Sequence, residues 1–273
     1  MLRKFFAVLF LSVFAISCGD DEEQNFDESF IDKDTLIEQN YIYEQYSIPL
    51  PIDLFKFLGE NGCFQPDVMS NLSIKDRYYT QVQSAMNLGI YTADLAYCTI
   101  FENGQNAMAY SDAASYFANK LSIEDAYGRP FVERLERNVD NIDSIKIITN
   151  EAYTKACNYL DKKGVYNVLP FVIYGAWIES LYLIINSDSD DELIIETKQK
   201  IIDEYSVIGK IITYMYDVQI ETSAYYYNAE MKVLISNLDE LKELFEEYSK
   251  DKTEGNYKKI ADRIDKLKKE MND

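Results

Sequence analysis

Two acids lie where acids are costly. Asp94 sits in "IYTADLAYC" (90–98) and Glu179 in "YGAWIESLYLI" (174–184), each flanked by residues that favour burial. A buried lone carboxylate must find a base, a hydroxyl or backbone donors, or else keep its proton. Such a pair has two readings. It can be a general acid/base or ligand-binding pair, or a structural hydrogen-bond centre inside a helical core. The structural reading is favoured, with Tyr91, Tyr174 or Arg77 as the expected partners. Tyrosine is the second excess, with 23 residues and a run at Tyr225-Tyr226-Tyr227. Three consecutive tyrosines on a helix cannot all face one core. Tyr225 and Tyr226 are therefore candidates, with Tyr91 and Tyr174, for contact with a sugar or peptide.

Much chemistry is excluded. The chain has no histidine, which removes Ser-His-Asp and Cys-His nucleophiles, His-ligated zinc and haem, and Glu-x-x-His di-iron sites. Neither common glycine-rich phosphate loop occurs. The stretch "DSDDELIIETKQ" from Asp188 opens like a calcium loop, but Leu193 replaces the required glycine and Gln199 the closing glutamate. No metal or cofactor is expected. The catalytic alternative is an acid pair working on a glycan, although the single Trp177 is sparse for such an enzyme.

Helices must position these residues. Ile148, Ala152, Ala156 and Leu160 form one apolar stripe, Leu234, Leu238, Leu241, Phe245 and Tyr248 a second, and Ile260, Ile264, Leu267 and Met271 a third. Breaks fall at Gly62, Glu102-Asn103-Gly104, Gly128-Arg129-Pro130 and Lys162-Lys163-Gly164. Ser73 with Asp76 reads as a capping box, and Ser187 to Asp190 as a cap for the helix that follows. The expectation is an all-α bundle of about eight or nine helices in one domain, residues 46–273. Residues 239–273, rich in both charges, read as a solvated hairpin on its end. Gly89 and Gly175 each precede an acid by about one turn, and glycine inside an apolar helix implies close approach or a kink. Both helices are therefore expected at the bundle's centre, with Asp94 and Glu179 at least partly buried.

The first 45 residues have another character. Arg3 and Lys4, an apolar run from Phe5 to Phe14, and Ala15-Ile16-Ser17 make up a secretory signal over residues 1–17. Its apolar run is shorter than the ~20 residues a spanning helix needs. Cys18 directly after small residues resembles the lipobox of bacterial lipoproteins, which implies a mature N-terminus carrying fatty-acyl chains such as palmitate. Two or more chains anchor stably. Gly19-Asp20-Asp21-Glu22-Glu23-Gln24 resembles the export tether of Bacteroidota lipoproteins, which implies the outer membrane and its cell-surface face. From Asp20 to Glu44 there are ten acids and one base, so residues 18–45 are expected as a disordered acidic leash. The body, through "GIYTADLAYCTIFENGQNAMAY" and "GAWIESLYLI", resembles all-helical lipoproteins of that group without an assigned activity. That resemblance covers residues 45 to 250 and implies no mechanism.

The formal net charge of −20 argues against nucleic acid as a partner. Of the remaining cysteines, Cys98 and Cys157 lie in apolar helical patterns and Cys63 makes the count odd, so no disulfide is expected. The functional expectation is an envelope-anchored, non-catalytic binding module for an envelope protein or glycan. A tetratricopeptide-like adaptor and the carboxylate/tyrosine enzyme stand as alternatives. A deep cleft with two acids would favour the enzyme, and a shallow tyrosine-lined groove the binding module.

Overall fold

The computed structural model describes residues 46–61, 64–138, 141–162, 168–187, 206–221 and 228–272. Cys18, the acidic run, Cys63, Tyr225, Tyr226 and the cap at Asp188 to Asp190 lie outside them. The described residues are all-α: α1 (Pro51–Asn61), α2 (Gln81–Ile100), α3 (Gly104–Lys120), α4 (Glu124–Tyr127), α5 (Arg129–Arg137), α6 (Ile142–Lys162), α7 (Leu169–Asn186), α8 (Ser206–Glu221), α9 (Asn228–Lys250) and α10 (Glu254–Asn272). Among them no strand occurs, and α4 alone is a single turn.

The breaks have local causes. Pro51 opens α1, where the Asp53 carboxylate accepts from the Leu50 amide at 3.3 Å. Asn103 caps α3 by accepting from the Asn106 amide at 3.1 Å. Glu102 takes the left-handed conformation that turns α2 into α3 (φ 56°). The capping box before α2 is not at Ser73. It is formed by Thr80 and Gln83, whose side chains exchange hydrogen bonds with each other's backbone amides. Ser73 lies instead in a short 3-10 turn, Leu72–Arg77, capped by Asn71.

At the centre α2 packs against α7, with α1, α3 and α6 also against α2, and α1, α8 and α10 also against α7. Both central helices are buried nearly all round, from Ser84 to Thr99 and from Leu169 to Ile185. Helix α7 is long and apolar enough to cross a bilayer, yet 89% of it is buried in the fold, as suits a core helix. Polar residues survive there by bonding backward. Thr92, Thr99 and Ser180 each donate to the carbonyl four residues earlier, at 2.7 to 2.8 Å.

Glycine sets the spacing. A Cβ built on Gly89 would overlap the Val172 carbonyl and stand 2.6 Å from the Ala176 amide, and one on Gly175 would overlap the Met86 carbonyl. The two backbones touch at these points, as only glycine permits. The three apolar stripes read from the sequence all face the core. Cys98 and Cys157 are buried thiols, and no disulfide joins them.

Candidate functional site

The close approach of α2 and α7 brings Asp94 and Glu179 to one point, and both are wholly buried. Among the described residues, neither is bonded to Tyr91, Tyr174 or Arg77. Both close on Ser70, which lies between the two 3-10 turns that precede α2. The Ser70 hydroxyl donates to Glu179 Oε1 at 3.1 Å, and the Ser70 amide donates to Asp94 Oδ1 at 3.4 Å. From α10, Lys268 reaches in to donate to Ser70 Oγ at 2.6 Å and to form an ion pair with Glu179 Oε2. Asp94 Oδ2 has no partner among the described residues.

The surroundings fix the loop that carries Ser70. Tyr110 on α3 donates to the Ser70 carbonyl at 2.8 Å, and Tyr91 on α2 to the Asn71 carbonyl at 2.9 Å. The Tyr91 ring stacks on Phe117. Burial, then the Glu179 charge, push Asp94 well above the usual carboxylate range, against the smaller pull of Lys268 and Ser70. Burial likewise pushes up the Tyr91 and Tyr110 hydroxyls and the Cys98 thiol. The direction favours the protonated form of Asp94 beside the Lys268–Glu179 ion pair.

A serine beside a lysine can serve acyl transfer. Here, however, Lys268 is paired with Glu179 rather than left free to take the Ser70 proton. The hydroxyl is held by the same carboxylate, and none of the four side chains is appreciably exposed. The cluster ties α2, α7, α10 and the Ser70 loop together.

Tyr174 belongs to a second cluster. Asn237 on α9 donates to its hydroxyl at 3.3 Å, and burial pushes that hydroxyl up to about 12. Arg263 on α10 donates to Asn237 at 2.9 Å and pairs with Glu240 at 2.7 Å. Arg77 is exposed. Lys268, Arg263 and Ser70 are absent from the sequence-based candidates. The first two carried a signal, since each falls three or four residues from members of the stripe Ile260, Ile264, Leu267 and Met271. Ser70 carried none.

The surface offers a different site. An open groove of about 630 Å³ runs along α8 from Ser206 to Tyr216, bounded by Asp239 and Lys242 of α9 and by Tyr46. Tyr46 is held by its hydroxyl on Asp217 at 3.0 Å and by an edge contact with Tyr214. Tyr216 is 46% exposed. Gly209 forms part of the floor, and a Cβ there would meet nothing within 4 Å. A second hollow, beside Trp177, has room for about one water. Among the described residues no three of His, Cys, Asp or Glu converge as metal ligands. No family model matches the chain, and no curated protein or solved structure matches it.

Proposed function

We propose that this protein is an envelope lipoprotein, anchored in the outer membrane through acyl chains on Cys18 and facing the cell surface. Its helical body is a binding module that takes its ligand in the α8–α9 groove. The observation that carries this reading is the contrast between the two sites. The acids Asp94 and Glu179 are closed inside the core on Ser70 and Lys268, whereas the groove is open to solvent and includes Tyr46, Tyr216, Lys210, Lys242 and Asp239 in its lining. The anchor is supported by the order of small residues, Cys18 and acids.

Intact mass of detergent-extracted protein should show acyl chains on Cys18, and Cys18→Ala should release the chain from membranes. For the body, envelope extract is passed over the immobilised full chain and two variants. Material retained by wild type should be lost with Gly209→Leu, which fills the groove, and kept with Asp94→Asn. Retention unaffected by Gly209→Leu would place binding elsewhere. Turnover of envelope material that Asp94→Asn abolishes would restore the enzyme reading.

A further inference from the structure

We infer that the α8–α9 groove recognises a short saccharide bearing a carboxylate, a uronic-acid type of ligand; this rests on the groove being the binding site. Charge comes first. The chain holds 47 acids against 27 bases, yet the groove presents Lys210 and Lys242 against Asp239. Lys210 donates to the Ser47 carbonyl at 3.3 Å and has no carboxylate partner among the described residues. Lys242 stands 3.9 Å from Glu246, beyond hydrogen-bond reach. Each ammonium has three donors, so the two together leave donors for an anion. Two lysines set among Asp239 and Glu246 suit dilute negative charge, one carboxylate per ring, with the hydroxyls between facing the acids. A polyphosphate concentrates its charge and would meet those acids and the field of a chain at −20 more strongly.

Shape and lining separate a sugar from a peptide. Peptides that dock between helices insert apolar anchors, and those that dock as strands need a sheet edge. The described residues contain no strand, and the groove's aliphatic side chain, Ile212, is buried in its floor. What the groove does offer is an aromatic wall at Tyr46, a half-exposed ring at Tyr216, and a bare floor at Gly209 where a flat ring can lie on the helix. Asp239 can accept from ring hydroxyls. From Ser206 to Tyr216 the helix rises about 15 Å, which suits an oligomer better than a single sugar.

The test is calorimetric titration of the full chain with three probes: trigalacturonate, its methyl ester and triglutamate. The ester keeps the rings and removes the charge, and the peptide does the reverse. The expected result is binding of trigalacturonate, weakened about tenfold or more by esterification, by Lys210→Gln with Lys242→Gln, or by about 0.5 M salt. Gly209→Leu should abolish it. That variant places a better helix former into open space, so its fold should persist by circular dichroism. No binding of trigalacturonate, equal binding of its ester, equal or tighter binding of triglutamate, or binding indifferent to Gly209→Leu would each overturn the inference. Envelope material retained by wild type and lost with Gly209→Leu, without trigalacturonate binding, would remove the ligand class and leave the groove reading standing. Retention indifferent to Gly209→Leu would remove both.

Discussion

Replacing Lys268 by methionine would leave Glu179 buried without its counter-ion and Ser70 without its strongest donor. Breaking one side of a buried pair typically costs about 3–5 kcal/mol, and urea unfolding of Lys268→Met should show a loss in that range. Glu179→Leu alone should lose a comparable amount, because it strands the ammonium instead. Combining Lys268→Met with Glu179→Leu should recover most of the loss, since an apolar pair of similar volume need not be desolvated as ions. Additive losses in this cycle would show that the two side chains act separately. Asp94 behaves differently, because burial and Glu179 raise its pKa. The folded chain keeps this proton at pH values where an unfolded aspartate, near ~3.9, has lost it. The resulting stabilisation is complete below the unfolded pKa and declines as pH rises through the folded one. Asp94→Asn, which keeps the acceptor for the Ser70 amide, should therefore flatten the fall in unfolding free energy as pH rises above the ordinary aspartate range. Burial pushes the neighbouring Tyr91, Tyr110 and Cys98 up, so they keep their protons across that rise. An unchanged pH slope in Asp94→Asn would show that Asp94 is ionised in the fold.

At the scale of elements, Gly89, Gly175 and Gly209, three of the helical glycines, divide into two kinds. In an open helix Gly→Ala stabilises by up to about 1 kcal/mol, and Gly209→Ala should do so, because nothing stands within 4 Å of the new methyl. Gly89→Ala and Gly175→Ala should do the opposite. Their methyls collide with the carbonyls of Val172 and Met86, and backbone cannot move aside as a side-chain tip can. Forcing α2 from α7 should cost about 1–3 kcal/mol or more; thermal melts of the three variants decide it. The central placement of these helices was legible, since a glycine and an acid within one apolar helix signal close approach and a buried polar centre. The partners were less so. Lys268 sits in "IDKLKKEMN" (264–272), where alternating charge reads as a wet helix, and its place is visible only by counting four residues on from Ile264. Ser70 was illegible because it is positioned by tertiary contacts from α2, α3, α7 and α10, not by any local pattern. The groove was illegible for a like reason: Tyr46, Lys210 and Lys242 are far apart in the chain and carry no shared period.

For the whole molecule the governing quantity is charge. Most ion pairs among the described residues are exposed, including Arg129–Glu133, Lys259–Glu247 and Lys266–Glu270. Exposed pairs contribute little, and salt screens what they contribute. A net charge of −20 acts the other way, since folding crowds the excess acids together and self-repulsion disfavours the compact state. The two effects oppose each other under salt, and twenty uncompensated charges outweigh a few wet pairs. Raising sodium chloride from about 0.02 M to about 0.5 M shortens the screening length from roughly 20 Å to roughly 4 Å. The melting temperature should therefore rise, by about 2–4 °C for each kcal/mol of repulsion removed in a domain of this size. A chain held together by its surface ion pairs would melt lower instead. The Lys268–Glu179 pair provides an internal control, because a buried pair is shielded from mobile ions. The melting temperatures of wild type and Lys268→Met should rise in parallel, so that the gap between them stays constant across the salt series. Convergence of the two curves at high salt would mean that the cluster is open to solvent in solution.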